Sequence, residues 1–261
     1  MAGTGIQYPD HFITRLQAIW GRGFLSPGGP EEVKRIVQGL GLTGKALLDI
    51  GFGTGGPGAV LAGLGAQVTG TDIEAQLLPH AQATRAASPH ADQITLILTK
   101  PGPLPFDDNS FDVVFSKDSL IHVPDKGAMF DEILRVLKPS GIFAASDWLM
   151  GAGDGPAQVM ADFNARGYLD FRMATADQTK HLLTSCGFHD VTTLDRNAWY
   201  ADLAAREVKK VEEDLYDDLA AIVGEEIMRE WLSVRRHLAE AARLGGLCPT
   251  HLRAIKPASG L

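Results

Sequence analysis

Apolar residues recur on one helical face at Phe12, Ile13, Leu16, Ile19 and Trp20, and this spacing predicts a helix over Asp10–Trp20. A turn-rich loop, Phe24–Gly29, separates it from a second predicted helix. Pro30, Glu31 and Glu32 open that helix: proline sacrifices no hydrogen bond in a first turn, and acids there face the positive end of the helix dipole. Val33, Ile36, Val37 and Leu40 supply its buried stripe. From Ala46 the period shortens. Ala46–Ile50 is an apolar run that stops at glycines, and Gln67–Thr71, Ile94–Leu98, Val113–Ser116 and Ile142–Ala145 repeat the pattern. Between these strands, Pro57–Leu64, a stretch to Ala87 interrupted by Pro79, and Lys126–Leu137 read as helices. Strands alternating with helices predict an α/β fold with a mostly parallel sheet and helices on both faces. Later come a helix over Thr175–Cys186 stopped by Gly187, a strand over His189–Leu194, two charged helices within Tyr200–Leu244, and a last strand over Thr250–Lys256. The expected organisation is one unit over residues 1–261. It has an N-terminal lid at 1–29, a ligand-binding core at 30–149, a helical cap with a late strand at 150–247, and a final strand with a loose tail at 248–261.

Composition narrows the function. The chain has 261 residues, enough for one α/β core with an appended cap. Its net charge of −8, without a run of Lys or Arg, disfavours nucleic acid or an anionic membrane as partner. No apolar stretch of about 18 residues is present to span a bilayer, and the first residues lack the basic-then-apolar order of a secretory signal. Cys186 and Cys248 form neither a metal spacing nor a disulfide framework, so the expected location is the reducing cytoplasm.

The chemistry concentrates at Asp49-Ile50-Gly51-Phe52-Gly53-Thr54-Gly55-Gly56, between a strand and a helix. Glycines there let the backbone approach a ligand, and the next helix aims its amides at the same place. Gly51, Gly53 and Gly56 formally satisfy a dinucleotide G-x-G-x-x-G pattern, and Asp72 could hold a ribose in either reading. Asp49 favours the other reading. A carboxylate beside the first glycine repels a pyrophosphate but suits S-adenosylmethionine, which carries a sulfonium and an ammonium group. Asp49, Gly51, Gly53, Gly55, Asp72, Ile73 and Ser116 are the expected cofactor-binding residues. Asp118 and His122 stand four apart, on one face if the turn is helical. A carboxylate can bind an ammonium, and a histidine can accept its proton. The competing reading of His122 is a buried histidine bonded to a backbone carbonyl. A metal held by Asp118, His122 and Asp125 has no further support.

Leu48–Gly55, Phe111–Asp118 and Leu134–Gly141 together resemble the class I S-adenosylmethionine-dependent methyltransferases, with Ser140 standing where a second glycine is usual. Within that class the chain resembles the phosphoethanolamine (phosphobase) N-methyltransferases, and next the sarcosine/dimethylglycine methyltransferases. Gln7-Tyr8, Trp20-Gly21, Phe24–Gly29, Ser116–His122 and Arg166-Gly167-Tyr168 carry this finer likeness. The resemblance implies a Rossmann-like core and a catalytic Tyr8–His122 dyad, with Asp118 on the amine of a small polar acceptor. It also implies substrate contacts from Ser26, Trp148, Arg166 and Tyr168. Leu16 and Trp148 replace pocket tyrosines, and Lys100 replaces the acid that usually meets the adenine amino group. A methylated amine is a fixed cation, which the aromatic faces of Trp20, Phe24, Trp148, Tyr168 or Phe171 could stabilise. Arg166, Arg172, Arg235 or Arg236 could hold an acceptor anion. The alternatives left open are O- or S-methylation, a nicotinamide-dependent oxidoreductase, and a non-catalytic S-adenosylmethionine-binding module.

Overall fold

The computed structural model describes residues 8–165 and 173–258. Two helices, α1 (Asp10–Trp20) and α2 (Gly29–Ile36), precede the alternation β1 (Ala46–Ile50), α3 (Gly56–Gly63), β2 (Gln67–Asp72), α4 (Leu78–Ala86), β3 (Ile94–Leu98), β4 (Phe111–Lys117), α5 (Lys126–Val136) and β5 (Leu137–Leu149). The chain continues through α6 (Asp154–Ala165), α7 (Ala176–Ser185), β6 (His189–Asp195), α8 (Asn197–Lys210), α9 (Tyr216–Val223) and α10 (Glu225–Arg243), and returns on β7 (Cys248–Ile255). The strands form one sheet in the order β3-β2-β1-β4-β5-β7-β6. The first five are parallel, and β7 runs antiparallel to both β5 and β6.

The short apolar runs become central strands because both of their faces are covered. Leu47, Val113, Phe115 and Ala144 pack with Val33, Ile36, Leu61 and Ala62 of α2 and α3. The alternate residues Leu48, Ile50, Val114, Phe143 and Ala145 pack with Phe130, Ile133 and Leu183 of α5 and α7. Strand order reverses between β1 and β4, which opens a crevice at their carboxyl ends.

Three details depart from the sequence-based expectation. Pro79 lies in the first turn of α4 and so begins that helix instead of interrupting it. β5 extends well beyond Ile142–Ala145. At its start a bulge with Ser140 at φ 61° breaks the apolar alternation, and at its end the polar pair Ser146-Asp147 is buried. The Tyr200–Leu244 stretch contains three α-helices, not two: a π-helical segment, Val211–Leu215, joins α8 to α9, and Gly224 at φ 93° separates α9 from α10. Val211, Leu219, Met228, Trp231 and Leu232 bury Leu16 and Ile19 of α1, so the C-terminal helices carry the N-terminal segment. Met160 and Phe163 of α6 join Tyr200, Ala204 and Leu238 in the adjoining cluster. No described helix is long and apolar enough to cross a membrane.

Glu32 ties the entry to α2 to the far side of the sheet. Only 4% of it is exposed. Its Oε1 accepts from Arg196 Nε at 3.0 Å and lies 2.7 Å from His251 Nε2, while Oε2 accepts from Arg196 Nη2 at 3.1 Å. Burial alone would raise its pKa, but the hydrogen bonds and charges of His251 and Arg196 outweigh burial and hold the carboxyl at about 2. A depressed folded-state pKa stabilises the protein above the usual carboxylate range, and that contribution is lost as pH falls towards the folded value. Glu32→Gln is expected to destabilise the chain by about 3 kcal/mol at neutral pH, and by much less at about pH 3. Urea unfolding of both proteins at the two pH values measures the difference, and an equal loss at both would remove the ionised Glu32 from the account.

Candidate active site

A cavity of about 250 Å³ fills the crevice at the carboxyl ends of β1, β2 and β4. Its floor is the glycine turn after β1. Gly51, Gly53 and Gly55 have φ of 82°, 54° and 88°, a region that side chains disfavour. A Cβ on Gly51 would also overlap the Ser119 side chain. Asp72, at the end of β2, pins this turn. Its Oδ2 accepts the Gly53 N–H at 2.9 Å, and its Oδ1 accepts the Glu74 N–H at 3.0 Å. Burial raises the pKa of Asp72 despite these bonds. Asp49 lies beneath the turn, 1% exposed, and neither of its carboxyl oxygens has a hydrogen-bond partner among the described residues. Burial, then the nearby Asp72, raises its pKa strongly. This end of the cavity therefore holds acids with too little positive charge around them.

The N-terminal segment closes the other side. Gly23 O accepts the Gly56 N–H at 2.9 Å, which docks the loop after α1 onto the first residue of α3. Lys117 Nζ is buried and donates to Ser26 Oγ at 2.5 Å, Pro27 O at 2.9 Å and Asp118 Oδ2 at 2.8 Å. Ser146 Oγ donates to Asp118 Oδ1 at 2.9 Å, so both Asp118 oxygens are engaged. Asp118 takes φ 57°, and its N–H donates to Ser146 O at 2.7 Å. The following turn, Leu120–His122, presents the imidazole, whose Nε2 lies 3.3 Å from Tyr8 Oη. His122 opens onto the cavity but is ringed by protein. That desolvation, then the Lys126 charge, lowers its pKa, while Glu74 opposes the shift. Burial, then Asp72 and Glu74, raises the pKa of the Tyr8 phenol. The resting pair at neutral pH is thus an un-ionised phenol beside a neutral imidazole, able to take up one proton.

The cavity wall brings together Tyr8, Ser26, Gly51, Gly53, Asp72, Ile73, Asp118 and His122 from the sequence-based set. Asp49, Gly55, Ser116 and Trp148 are not on it. Gly55 faces Ala81 of α4, Ser116 Oγ donates to Ile50 O at 2.9 Å, and Trp148 packs edge-on against Tyr200 with ring centroids 4.7 Å apart. Arg166, Tyr168, Phe171 and Arg172 lie outside the described residues. Arg235 is not available for an acceptor anion, because it pairs with buried Glu207, which also accepts from Trp20 Nε1 at 2.7 Å. Arg236 pairs with Glu212. The wall also contains Phe24, Leu25, Glu74, Lys117 and Ser119. Of the wall residues that sequence reading passed over, Lys117 and Ser119 flank Asp118 in the motif itself. Glu74 carries no signal until β2 places it beside Asp72.

The chain is similar to known proteins in two ways. The methyltransferase-domain family matches residues 48–145. Phosphoethanolamine N-methyltransferase of Triticum aestivum is 32% identical over 227 residues, 85% of this chain and 43% of the wheat protein. The enzyme of that name from Plasmodium falciparum is 26% identical over 80% of this chain and 78% of its own length. The chain spans about half the length of the plant relatives it matches. Phosphoethanolamine N-methyltransferase 2 of Haemonchus contortus, solved with phosphomonomethylethanolamine and S-adenosylhomocysteine, superposes with a TM-score of 0.85 at 25% identity, over 96% of this chain and 58% of that one. Residues 48–145 match the methyltransferase-domain family, and the chain has the Rossmann-like class I methyltransferase fold and is similar along most of its length to the phosphoethanolamine N-methyltransferases.

Proposed function

We propose that this chain is an S-adenosylmethionine-dependent N-methyltransferase acting on the amine of a small polar acceptor of the phosphobase kind. The observation that carries the reading is the Tyr8–His122 pair at 3.3 Å, in the same cavity as the Asp72-pinned glycine turn. When bound, S-adenosylmethionine supplies a methyl carbon made electrophilic by its sulfonium. A cationic donor relieves the burial penalty on ionising Asp49 and Asp72 whereas a pyrophosphate adds to it, which weighs against a nicotinamide cofactor. Asp72 is placed to take ribose hydroxyls, and the Gly51 and Gly53 backbone admits the ligand closely. At the other end, neutral His122 accepts the proton of an ammonium acceptor, directly or through Tyr8, and so exposes the nitrogen lone pair. Both Asp118 oxygens already accept, from Lys117 and from Ser146, so an ammonium at Asp118 shares one of them. The docked N-terminal segment excludes water and holds the reacting atoms together, which can supply ~7–11 kcal/mol. The described lid, core and cap serve as one unit in this reading, and the free Cys186 and Cys248 suit a reducing cytoplasm.

Calorimetry with S-adenosylhomocysteine and with NAD tests the donor assignment. Binding of the first and not the second is expected. Asp72→Ala should weaken S-adenosylhomocysteine by about 10- to 100-fold, because the ribose contact and the tether on Gly53 are lost together. Equal binding of NAD would sink the donor assignment. A labelled-methyl screen of phosphoethanolamine, glycine-derived amines, and hydroxyl and thiol acceptors then identifies the acceptor atom. Transfer only to oxygen or sulfur would overturn the amine reading.

A further inference from the structure

The turn that carries His122 is too short to hold itself. Leu120–His122 is a single 3₁₀ turn, Ser119 before it gives no side-chain cap, and Asp118 ahead of that sits at positive φ. Two charged side chains from different elements grip its backbone. Asp147, on β5 and 2% exposed, accepts the Ile121 N–H through Oδ1 at 2.9 Å. Lys126, the first residue of α5, donates through Nζ to Leu120 O at 2.5 Å and reaches Val123 O at 3.5 Å. One side chain therefore satisfies a donor of the turn and the other its acceptors.

We propose that Asp147 and Lys126 are positioning residues for the reaction: two side chains from different elements that clamp the Leu120–His122 turn through its backbone and aim the His122 ring at Tyr8. The inference rests on the reading of His122 as proton acceptor. Neither residue is on the cavity wall, so each acts through the turn. Adjacent residues of β5 divide the work, since Ser146 fixes the Asp118 carboxyl while Asp147 fixes the backbone two residues before Val123. Among the described residues, Tyr8 from the N-terminal segment, Glu74 from the end of β2 and Lys126 from α5 face His122. Lys126 and Asp118 face Asp147. Burial raises the Asp147 pKa to about 7, opposed by Lys126 and reinforced by Asp118. Asp147 thus depends on Lys126 for its charge near neutral pH.

The test uses Asp147→Asn, Asp147→Ala and Lys126→Met in the full chain, with His122 followed by NMR of labelled histidine. Removing the Lys126 charge makes the imidazolium easier to form, so the His122 pKa should rise in Lys126→Met, and Lys126→Arg should restore it. Asparagine keeps an Oδ1 acceptor for Ile121, so Asp147→Asn should keep kcat within about fivefold, whereas alanine should lower it by about 10- to 100-fold. S-adenosylhomocysteine affinity should stay within about twofold throughout, since the clamp lies outside the donor end. A His122 titration unmoved in Lys126→Met overturns the clamp, as does an Asp147→Ala protein as active as wild type. If Asp147→Ala does not fold, the Met/Arg comparison at Lys126 decides alone. A wild-type protein that transfers no methyl group overturns the functional reading instead, while the histidine titration still tests the clamp.

Discussion

His122→Ala lowers turnover by about 10²- to 10⁴-fold and leaves S-adenosylhomocysteine affinity within about threefold of wild type. The expectation follows from where the ring stands. It touches Tyr8 at 3.3 Å and faces the cavity, while the donor end is built by other residues, Gly51, Gly53 and Asp72. An amine acceptor is mostly protonated at neutral pH, so its nitrogen has no lone pair to offer until a base takes the proton. The loss should thus fall on kcat and not on donor binding. The pH dependence has a definite sign. Burial and Lys126 lower the His122 pKa from its ordinary value of 6.5, so the imidazole is already neutral at pH 7. Activity should fall on the acid side, as pH drops through the lowered value, and His122→Ala should flatten that limb. Tyr8→Phe keeps the ring that covers the site and removes only the hydroxyl, so its effect should be smaller. Unchanged turnover in His122→Ala would return His122 to the bland role of a histidine that merely packs and hydrogen-bonds.

Mostly apolar runs bounded by turn residues made the strands legible, whether central like β1 or at the sheet edge like β3. Ala46–Ile50 and Ile94–Leu98 begin and end in the structure where those runs do. Where a strand is polar, the sequence is silent. Ser146 and Asp147 continue β5 as buried groups because their partners are Asp118 and the Ile121 amide, and nothing local to Ser-Asp announces either. The helical stretch after Tyr200 was legible as helix but not as three segments, since only one of its two breaks, Gly224, is a glycine and the other is a π-helical segment with no proline or glycine in it. The site divides in the same way. Asp49, expected as a cofactor-binding residue from its place two residues before Gly51, lies buried beneath the turn and off the cavity wall. Lys117 carries no local signal in the sequence, because its three acceptors come from distant Ser26 and Pro27 as well as adjacent Asp118.

Gly56→Ala should weaken S-adenosylhomocysteine by about 10- to 100-fold and expose the loop around Gly23 to protease, without unfolding the core. In sequence, Gly56 completes a dinucleotide pattern and invites the reading that a ligand phosphate passes over it. In the structure that space belongs to the protein. A Cβ on Gly56 would overlap Gly23 O, stand 2.8 Å from the Gly23 carbonyl carbon and 2.9 Å from Phe24 Cε2. The first of these is the atom that accepts the Gly56 N–H at 2.9 Å, so the methyl group and the docking bond compete for one place. Because the obstacle is backbone, it cannot rotate aside, and overpacking of this kind costs about 1–3 kcal/mol. That energy is expected to fall on the docking of Phe24, Leu25 and Ser26 onto the cavity wall, where it converts to the stated loss of affinity. Gly155→Ala is the control, since that glycine has ordinary φ and nothing within 4 Å of an added Cβ. The two variants should unfold at similar urea concentrations yet differ in ligand affinity and in cleavage near Gly23. If Gly56→Ala binds S-adenosylhomocysteine like wild type, the lid does not close through this contact, and the N-terminal segment has no part in holding the donor.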